Sequence, residues 1–412
     1  MAIVKPFKAV RATGDKVAQV SSKAHGVYTP EMLSSKLARN PYSFLHVTTP
    51  AHKDPKKERS EKVRFKLVQK QYAEFKEQNV FTQDKTPAFY IYKKTTTTTS
   101  FCGIIAASAV EDCLNNNIKK HEGTLRKREL LFENYLRNTG FTAEPVLLSY
   151  PDNAKVVDIL KKYSQYKANY EFTTANKDMH VLWVVTDASD IKKITSAFQE
   201  IDTLYIADGH HRSSASCLLA ERLKKENPQH TGTEAYNFFM SYLVAESELS
   251  MYEFNRFIKD LNGHTAQKLL FTLESFFTIK NYGTEFYKPL KKHSFSMYLE
   301  GEFYALTLKE AIYPFTDALS KLDAQILYKT VLKPLLGIND IRDDSKIVYS
   351  QNKSNGLELK TKVDTGAFKV SFGMYSTNIK ELKEIVDAGL LMPPKTTYIE
   401  PKLRSALTIY EF

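Results

Sequence analysis

The run Tyr205–Ser214, YIADGHHRSS, sets a carboxylate, a glycine, two imidazoles, a guanidinium and two hydroxyls in consecutive positions. The apolar stretch before it, TLYIAD (203–208), reads as a strand that delivers Asp208 at its C-terminal end. Gly209 permits a turn that a β-carbon would hinder. HHRSSASCLLAERL then reads as a helix whose packing side is small, with Ala215 and Ser216. A strand, a glycine turn and a helix start together form an anion site, because the first N–H groups and the positive end of the helix dipole face the ligand. His210, His211, Arg212 and Ser213 add donors suited to phosphate. Asp208 cannot serve that anion; it suits Mg²⁺ or a substrate hydroxyl. Two other arrangements use the same residues. In one, Asp208 is a near-cap carboxylate paired with Arg212, and the histidines lie on the surface. In the other, the histidines bind a metal. Adjacent helical residues point about 100° apart, however, and no second His/Glu pair at i, i+4 supports a metal site.

The elements that must position this run alternate between strand and helix. The segments AFYIYKK (88–94) and SFCGIIAASAV (100–110) are expected to form a hairpin, with Thr95–Thr99 between or within its strands, since β-branched residues suit extended backbone. TLRKRELLFENYLRNTG (124–140) is expected to be a helix, with Leu131, Tyr135 and Leu136 at helical spacing and Gly140 as its C-cap. PVLLSY and HVLWVV read as strands, and DILKKYSQY (158–166) and DIKKITSAFQEI (190–201) as helices. Trp183 falls in an apolar strand and is assigned to the core, and Cys217 to a buried, small apolar position. Residues 54–78 read as a charged helix and SFLHV (43–47) as a strand. Further on, SKLDAQILYKTVLKPLLGI (320–338) is a helix broken near Pro334, KIVYSQN and AFKVSFGMY are strands, and NIKELKEIVDAGLL (378–391) is a helix. The tail, with Tyr398, Ile399, Leu403, Leu407, Ile409 and Tyr410, is too apolar to be solvated and is expected to fold back on the core. The pattern gives an α/β class, with α+β character and a mixed sheet.

Composition limits the function classes. Of 412 residues, 42% are hydrophobic and 12% aromatic, which supplies a packed core and excludes a disordered chain. No run of 18 apolar residues occurs, so no transmembrane helix is expected. The N-terminal stretch lacks an apolar h-region, so no secretory signal is expected. Cys102, Cys113 and Cys217 have no zinc-knuckle spacing and cannot build a disulfide framework, which points to a reducing, cytoplasmic setting. The excess of 58 basic over 47 acidic residues, +11, favours anionic ligands, although lysines alternating with acids on helices account for most of it as a solvated face. No basic recognition helix or Arg-rich stretch with interleaved aromatics is present, so nucleic acid is not an expected partner.

The ADGHHR motif resembles the phosphate-side motif of the ParB/sulfiredoxin-like superfamily, and within it the free-serine kinases, in which a strand ends in Asp-Gly-His-(His/Thr)-Arg. The chain also resembles a large bacterial and archaeal family known only as a domain of unknown function. NPYSFLHV, HE followed by Thr124, YIADGHHR, RFIKDLNG and MPPKTTYIEPKLRSAL carry that likeness over most of the chain. The resemblance implies a ParB/sulfiredoxin-like core with large insertions. Residues 1–232 would form the nucleotide-binding core carrying HE and DGHHR, 233–374 an inserted α/β region, and 375–412 a C-terminal segment folding back with PKTT. KKHEGT (119–124) is similar to the Lys-Pro-His-Glu segment of the kinases and maps the catalytic glutamate onto Glu122, next to His121. Here Lys120 stands in place of the proline. PPKTT (393–397) is similar to their late Pro-Lys-Thr-Thr segment and brings in Lys395, Thr396 and Thr397. Sulfinic-acid reduction is excluded, because His210 occupies the position of the cysteine nucleophile that sulfiredoxin requires.

What this implies is phosphoryl transfer from ADP or ATP, with Mg²⁺, to a small hydroxylated metabolite such as free serine. The Gly209–Ser213 segment would neutralise phosphate, Glu122 would be the base on the acceptor hydroxyl, and Lys395, Thr396 and Thr397 would add donors. Two other functions share these features: a nucleotide-binding regulatory protein without catalysis, and a ParB-type nucleic-acid-associated protein. Glu122 equally suits the first turn of the helix over 124–137, where a carboxylate favours the dipole. Asn255 and Arg256 suit a ligand contact or a structural turn near Gly263.

Overall fold

Strands rich in Ile, Val, Tyr and Phe are buried on both faces here, and helices with one apolar stripe cover them. The computed structural model describes residues 2–50, 60–351 and 356–412. Its class is mixed α/β, with thirteen α-helices among the described residues. The chain divides into two units. The first comprises Met1–Lys120, Thr124–Leu249 and Pro401–Phe412; the second comprises His121–Gly123 and Ser250–Glu400.

The first unit is built on a nine-stranded sheet. Across it, in order, run Ile118–Lys119, Leu204–Asp208, Val146–Tyr150, Phe238–Ala245, Ser100–Ala109, Phe89–Thr95, Met179–Val185 and Tyr170–Thr173, with Val4–Lys5 paired beside Ser100–Ala109. The Ile118–Lys119 pairing with Leu204–Asp208, and that of Phe238–Ala245 with Val146–Tyr150, are parallel; the other pairings are antiparallel. One face carries the core of Ile91, Ile104, Val146, Leu148, Trp183, Ile206 and Leu243, closed by Ile159 and Phe198 from two helices. Trp183 is buried there and donates its indole N–H to the Tyr166 carbonyl at 3.0 Å. Cys113 and Cys217 pack against this core half-buried.

The expected hairpin is present: Phe89–Thr95 pairs with Ser100–Ala109, and Thr96 and Thr99 close its turn by backbone and hydroxyl bonds. The expected helix over 124–140 runs from Arg126 to Thr139, and Gly140 ends it at φ +76°. Its buried positions are Glu133, Leu136 and Thr139, while Leu131 is exposed. Glu133 can be buried because Arg222 of the His210–Glu226 helix lies 3.2 Å from it.

One element differs in kind. Residues 43–47 do not form a strand: Leu45–Thr48 is a helical turn, with Val47 and Thr48 N–H groups bonded to the Phe44 carbonyl. Phe44, Leu45 and Val47 are all buried, so the apolar residues follow no two-residue period. The charged helix runs Glu61–Glu77; the earlier part of that expectation, 54–59, lies outside the described residues.

The second unit carries a six-stranded antiparallel sheet, in order Phe277–Gly283, Glu302–Leu308, Ser294–Leu299, Val370–Met374, Phe254–Ile258 and Ile347–Gln351. Asn352, at the end of the expected KIVYSQN strand, lies outside the described residues. The helix Ile379–Asp387 is fixed by a capping box between Asn378 and Glu381. The helix broken near Pro334 appears as Asp323–Leu327 running into a π-helical segment, Tyr328–Leu332.

The observed division falls elsewhere than 232 and 374. Phe238–Ala245 is a central strand of the first sheet, paired on both sides, so the first unit extends to Leu249. The tail is shared: Tyr398–Glu400 pairs with Ser250–Tyr252 in the second unit, whereas Tyr410–Glu411 pairs with Phe141–Thr142 in the first. Ile399, Leu407, Ile409 and Tyr410 are buried, as their apolar character requires.

Candidate functional site

In the first unit the Leu204–Asp208 strand ends where the sequence places it, and a register shift between Ile206 and Asp208 turns the last residue at the strand end. Gly209 then takes φ +96°, a left-handed conformation that only glycine adopts without strain. It is also required sterically. A β-carbon there would lie 3.0 Å from Nε and Nη2 of Arg212, whose guanidinium folds back over the glycine. The helix His210–Glu226 starts directly, with Ser213 N–H bonded to the Gly209 carbonyl at 3.0 Å. His210 is buried at 6% exposure, and its carbonyl accepts from Ser213 Oγ at 3.0 Å.

Arg212 closes an ion-pair network. Its Nη2 donates to Asp208 Oδ2 at 2.9 Å and its Nη1 to Glu144 Oε2 at 3.3 Å. Lys402 Nζ bonds the other carboxylate oxygen, Asp208 Oδ1, and Ser405 Oγ donates to Glu144 Oε1 at 2.7 Å. Two cations and two carboxylates therefore meet at the strand end. Asp208 and Arg212 are about one-third and one-quarter exposed, so the network is open to solvent. The geometry realises the near-cap pairing of Asp208 with Arg212. It does not suit Mg²⁺ at Asp208, because a cation holds each carboxylate oxygen. Among the described residues no group of three or more His, Cys, Asp or Glu could hold a metal ion.

Glu122 is in the second unit, with His121 and Gly123. It does not sit in the first turn of the neighbouring helix, which begins at Arg126. Its backbone pairs with Met392 in a parallel bridge, in which the Met392 N–H donates to the His121 carbonyl at 2.8 Å. Met392 immediately precedes Pro393–Thr397, so two remote segments singled out in the sequence are neighbours. Within that turn, Thr396 is buried and its Oγ1 donates to the Pro393 carbonyl at 2.6 Å. Lys395 takes φ +55°, and its Nζ lies over the Phe254 ring, 5.5 Å from the centroid. Thr397 follows, directly before the Tyr398–Glu400 strand.

The first unit thus gathers Asp208, Gly209, His210, His211, Arg212 and Ser213, and the second gathers His121, Glu122, Lys395, Thr396 and Thr397. Lys402 and Glu144 were not anticipated. Lys402 had a signal, a basic residue inside the late IEPKLRSAL run, but Glu144 had none.

The chain belongs to the family described as "Protein of unknown function (DUF1015)", whose model matches residues 4–325. No curated protein matches it. Among solved structures it is similar to a conserved hypothetical protein from Pyrococcus furiosus, at 13% identity and a TM-score of 0.35, over 76% of this chain and 98% of that one. It is also similar to SbnI with C-terminal truncation from Staphylococcus aureus, at 10% identity and a TM-score of 0.39, over 74% of this chain and 87% of that one. A third similar structure is a free serine kinase in complex with AMP, at 14% identity and a TM-score of 0.35, over 76% of this chain and 94% of that one. Among the described residues no helix is long and apolar enough to cross a membrane.

Proposed function

We propose that the protein is a phosphotransferase of the ParB/sulfiredoxin-like superfamily that uses ADP or ATP to phosphorylate a small hydroxylated metabolite, with free serine the first candidate. In this reading Gly209–Ser213 binds the nucleotide phosphates, through the first turn of a 17-residue helix and its dipole. Glu122 takes the proton of the acceptor hydroxyl. The acceptor oxygen forms a bond to the terminal phosphorus as the phosphoanhydride P–O bond breaks, and AMP leaves from ADP, or ADP from ATP. Lys395 and the hydroxyls of Thr396 and Thr397 supply donors to the anionic groups. Mg²⁺ bound with the nucleotide would offset phosphate charge, and Asp208, whose oxygens are engaged by Arg212 and Lys402, is not assigned to it.

The observation that carries the reading is the backbone pairing of Glu122 with Met392, at the head of the Pro393–Thr397 turn. It supports a shared role for two segments that the motif resemblance links and that the chain separates widely. The test is Glu122→Gln. It is expected to abolish phosphorylated product, seen by mass spectrometry, while leaving ATP or ADP affinity, measured by calorimetry, within about twofold of the parent. Retained turnover in this variant would remove Glu122 as the base.

A second reading, a nucleotide-binding regulatory protein without catalysis, is favoured by the ion-pair network that engages both Asp208 and Arg212. It predicts nucleotide binding with no product from any acceptor.

A further inference from the structure

Arg256 lies at the centre of the Phe254–Ile258 strand of the second unit's sheet, opposite Tyr349 on one side and Phe372 on the other. It is 2% exposed, and among the described residues no carboxylate forms an ion pair with it. Burial lowers its pKa to about 10. A guanidinium taken from water without an anion is a costly way to fill a sheet. Its hydrogen bonds show where that cost is spent. Nη1 donates to the Phe254 carbonyl at 2.7 Å and approaches Met374 Sδ at 3.4 Å, and Nη2 donates to the Lys395 carbonyl at 3.4 Å. The Tyr349 ring lies 5.5 Å away as a cation–π partner.

The residue it grasps has a left-handed backbone. Lys395 is a long-chain residue at φ +55°, where L-residues other than glycine, Asn and Asp are uncommon. Its side chain rests on Phe254, the residue whose carbonyl shares the same guanidinium. One planar fork thus ties a strand to the turn, as a lysine ammonium cannot.

We propose that Arg256 is a positioning residue, which fixes the Pro393–Thr397 turn through the Lys395 carbonyl and so sets the direction of the donors on Lys395, Thr396 and Thr397. As a role in turnover, this rests on the reading that the turn belongs to the phosphotransfer site. The clamp itself does not.

The test compares the full chain with Arg256→Met and Arg256→Lys by amide hydrogen exchange and by ATP or ADP binding and turnover. Methionine fills similar volume without donors. It is expected to raise exchange in residues 395–397 by about tenfold or more, the scale of losing hydrogen bonds from a charged donor. Strands of the same unit are expected to stay protected. Arg256→Lys keeps the charge but loses the fork, and is expected to fall between the parent and Arg256→Met. Turnover should fall in the same order. Unchanged exchange at 395–397, or an equal rise throughout Ser250–Glu400, would overturn the clamp. Should Arg256→Met fail to fold, parent-like protection of 395–397 in Arg256→Lys overturns it equally. If the parent itself forms no product, the phosphotransfer reading fails, and the exchange comparison still decides the clamp.

Discussion

Gly209 is the residue on which the first unit's strand end depends. An alanine there has to adopt φ +96° and meets the Arg212 guanidinium at 3.0 Å. Because Arg212 is held by Asp208 and Glu144, the guanidinium cannot step aside without breaking an ion pair. Gly209→Ala is therefore expected to lower stability by about 1–3 kcal/mol, measured by urea denaturation, and to weaken nucleotide binding. An unchanged midpoint would show that the turn relaxes freely. Asp208→Asn is expected to behave differently. Its partners are partly solvent-exposed, and pairs of this kind contribute about 0–1 kcal/mol. The variant should cost no more than that in the same urea titration. At this scale the sequence was informative where the constraint is local. A strand, one glycine and a helix start are consecutive, and their chemistry can be seen without tertiary structure. The second carboxylate and second cation of the network, Glu144 and Lys402, come from remote segments; Glu144 left no local pattern, and Lys402 left only its place in the late IEPKLRSAL run. Glu122 could be selected from the neighbouring acids only through the motif resemblance, since its pairing with Met392 is a long-range backbone contact.

Between elements, two buried groups respond to pH in opposite senses. Asp323 begins the helix Asp323–Leu327 and accepts from the His293 N–H at 2.9 Å, which ties that helix to the start of the Ser294–Leu299 strand. Burial raises its pKa from 3.8 to about 6, against the lowering influence of Lys292. Between those pH values the folded chain holds a proton that the unfolded chain has released. Stability is lost as pH rises through this window, and above about 6 the cost is complete. Asp323→Asn keeps the acceptor and removes the charge. It is expected to stabilise the second unit by about 1–3 kcal/mol at pH 7, with the gain shrinking toward pH 4. A gain independent of pH would contradict the assignment. His180, in the Met179–Val185 strand, is the reverse case. Burial, with Arg404 and Lys94 nearby, lowers its pKa from 6.5 to about 3, and its Nδ1 is bonded to Tyr92 OH at 2.6 Å. The unfolded chain binds the extra proton, so the neutral ring's contribution is present above about 6.5 and is lost on acidification toward 3. His180→Gln is expected to flatten the acid limb of the first unit's unfolding midpoint against pH. Element types were mostly legible because long amphipathic helices and β-branched strands announce their period. The failure at Ser43–Val47 arose where a short segment is buried all round, so that its apolar residues carry no period to read.

Across the whole molecule, chain order and spatial order part company. The first unit is completed by Pro401–Phe412, from the far end of the chain, with Leu407, Ile409 and Tyr410 buried. Glu411 accepts from Tyr72 and Lys76 at 2.8 Å each. Removing Pro401–Phe412 is expected to deprotect the first unit in hydrogen exchange while the Ser250–Glu400 strands remain protected. Uniform loss would contradict the division. An apolar tail showed that the segment must be buried, but the sequence could not say that its two halves belong to different units. Strand pairing across more than 250 residues is set by tertiary packing rather than by local pattern.

Phosphoryl transfer to a small hydroxylated acceptor is the proposed activity. The measurement that bears on it most directly is mass spectrometry of products after incubating the protein with Mg²⁺, ATP or ADP, and a panel of hydroxylated metabolites headed by serine. A phosphorylated acceptor is expected with at least one member of the panel, dependent on the protein and absent with Glu122→Gln. Nucleotide bound by the protein, with no phosphorylated product from any member, would contradict it.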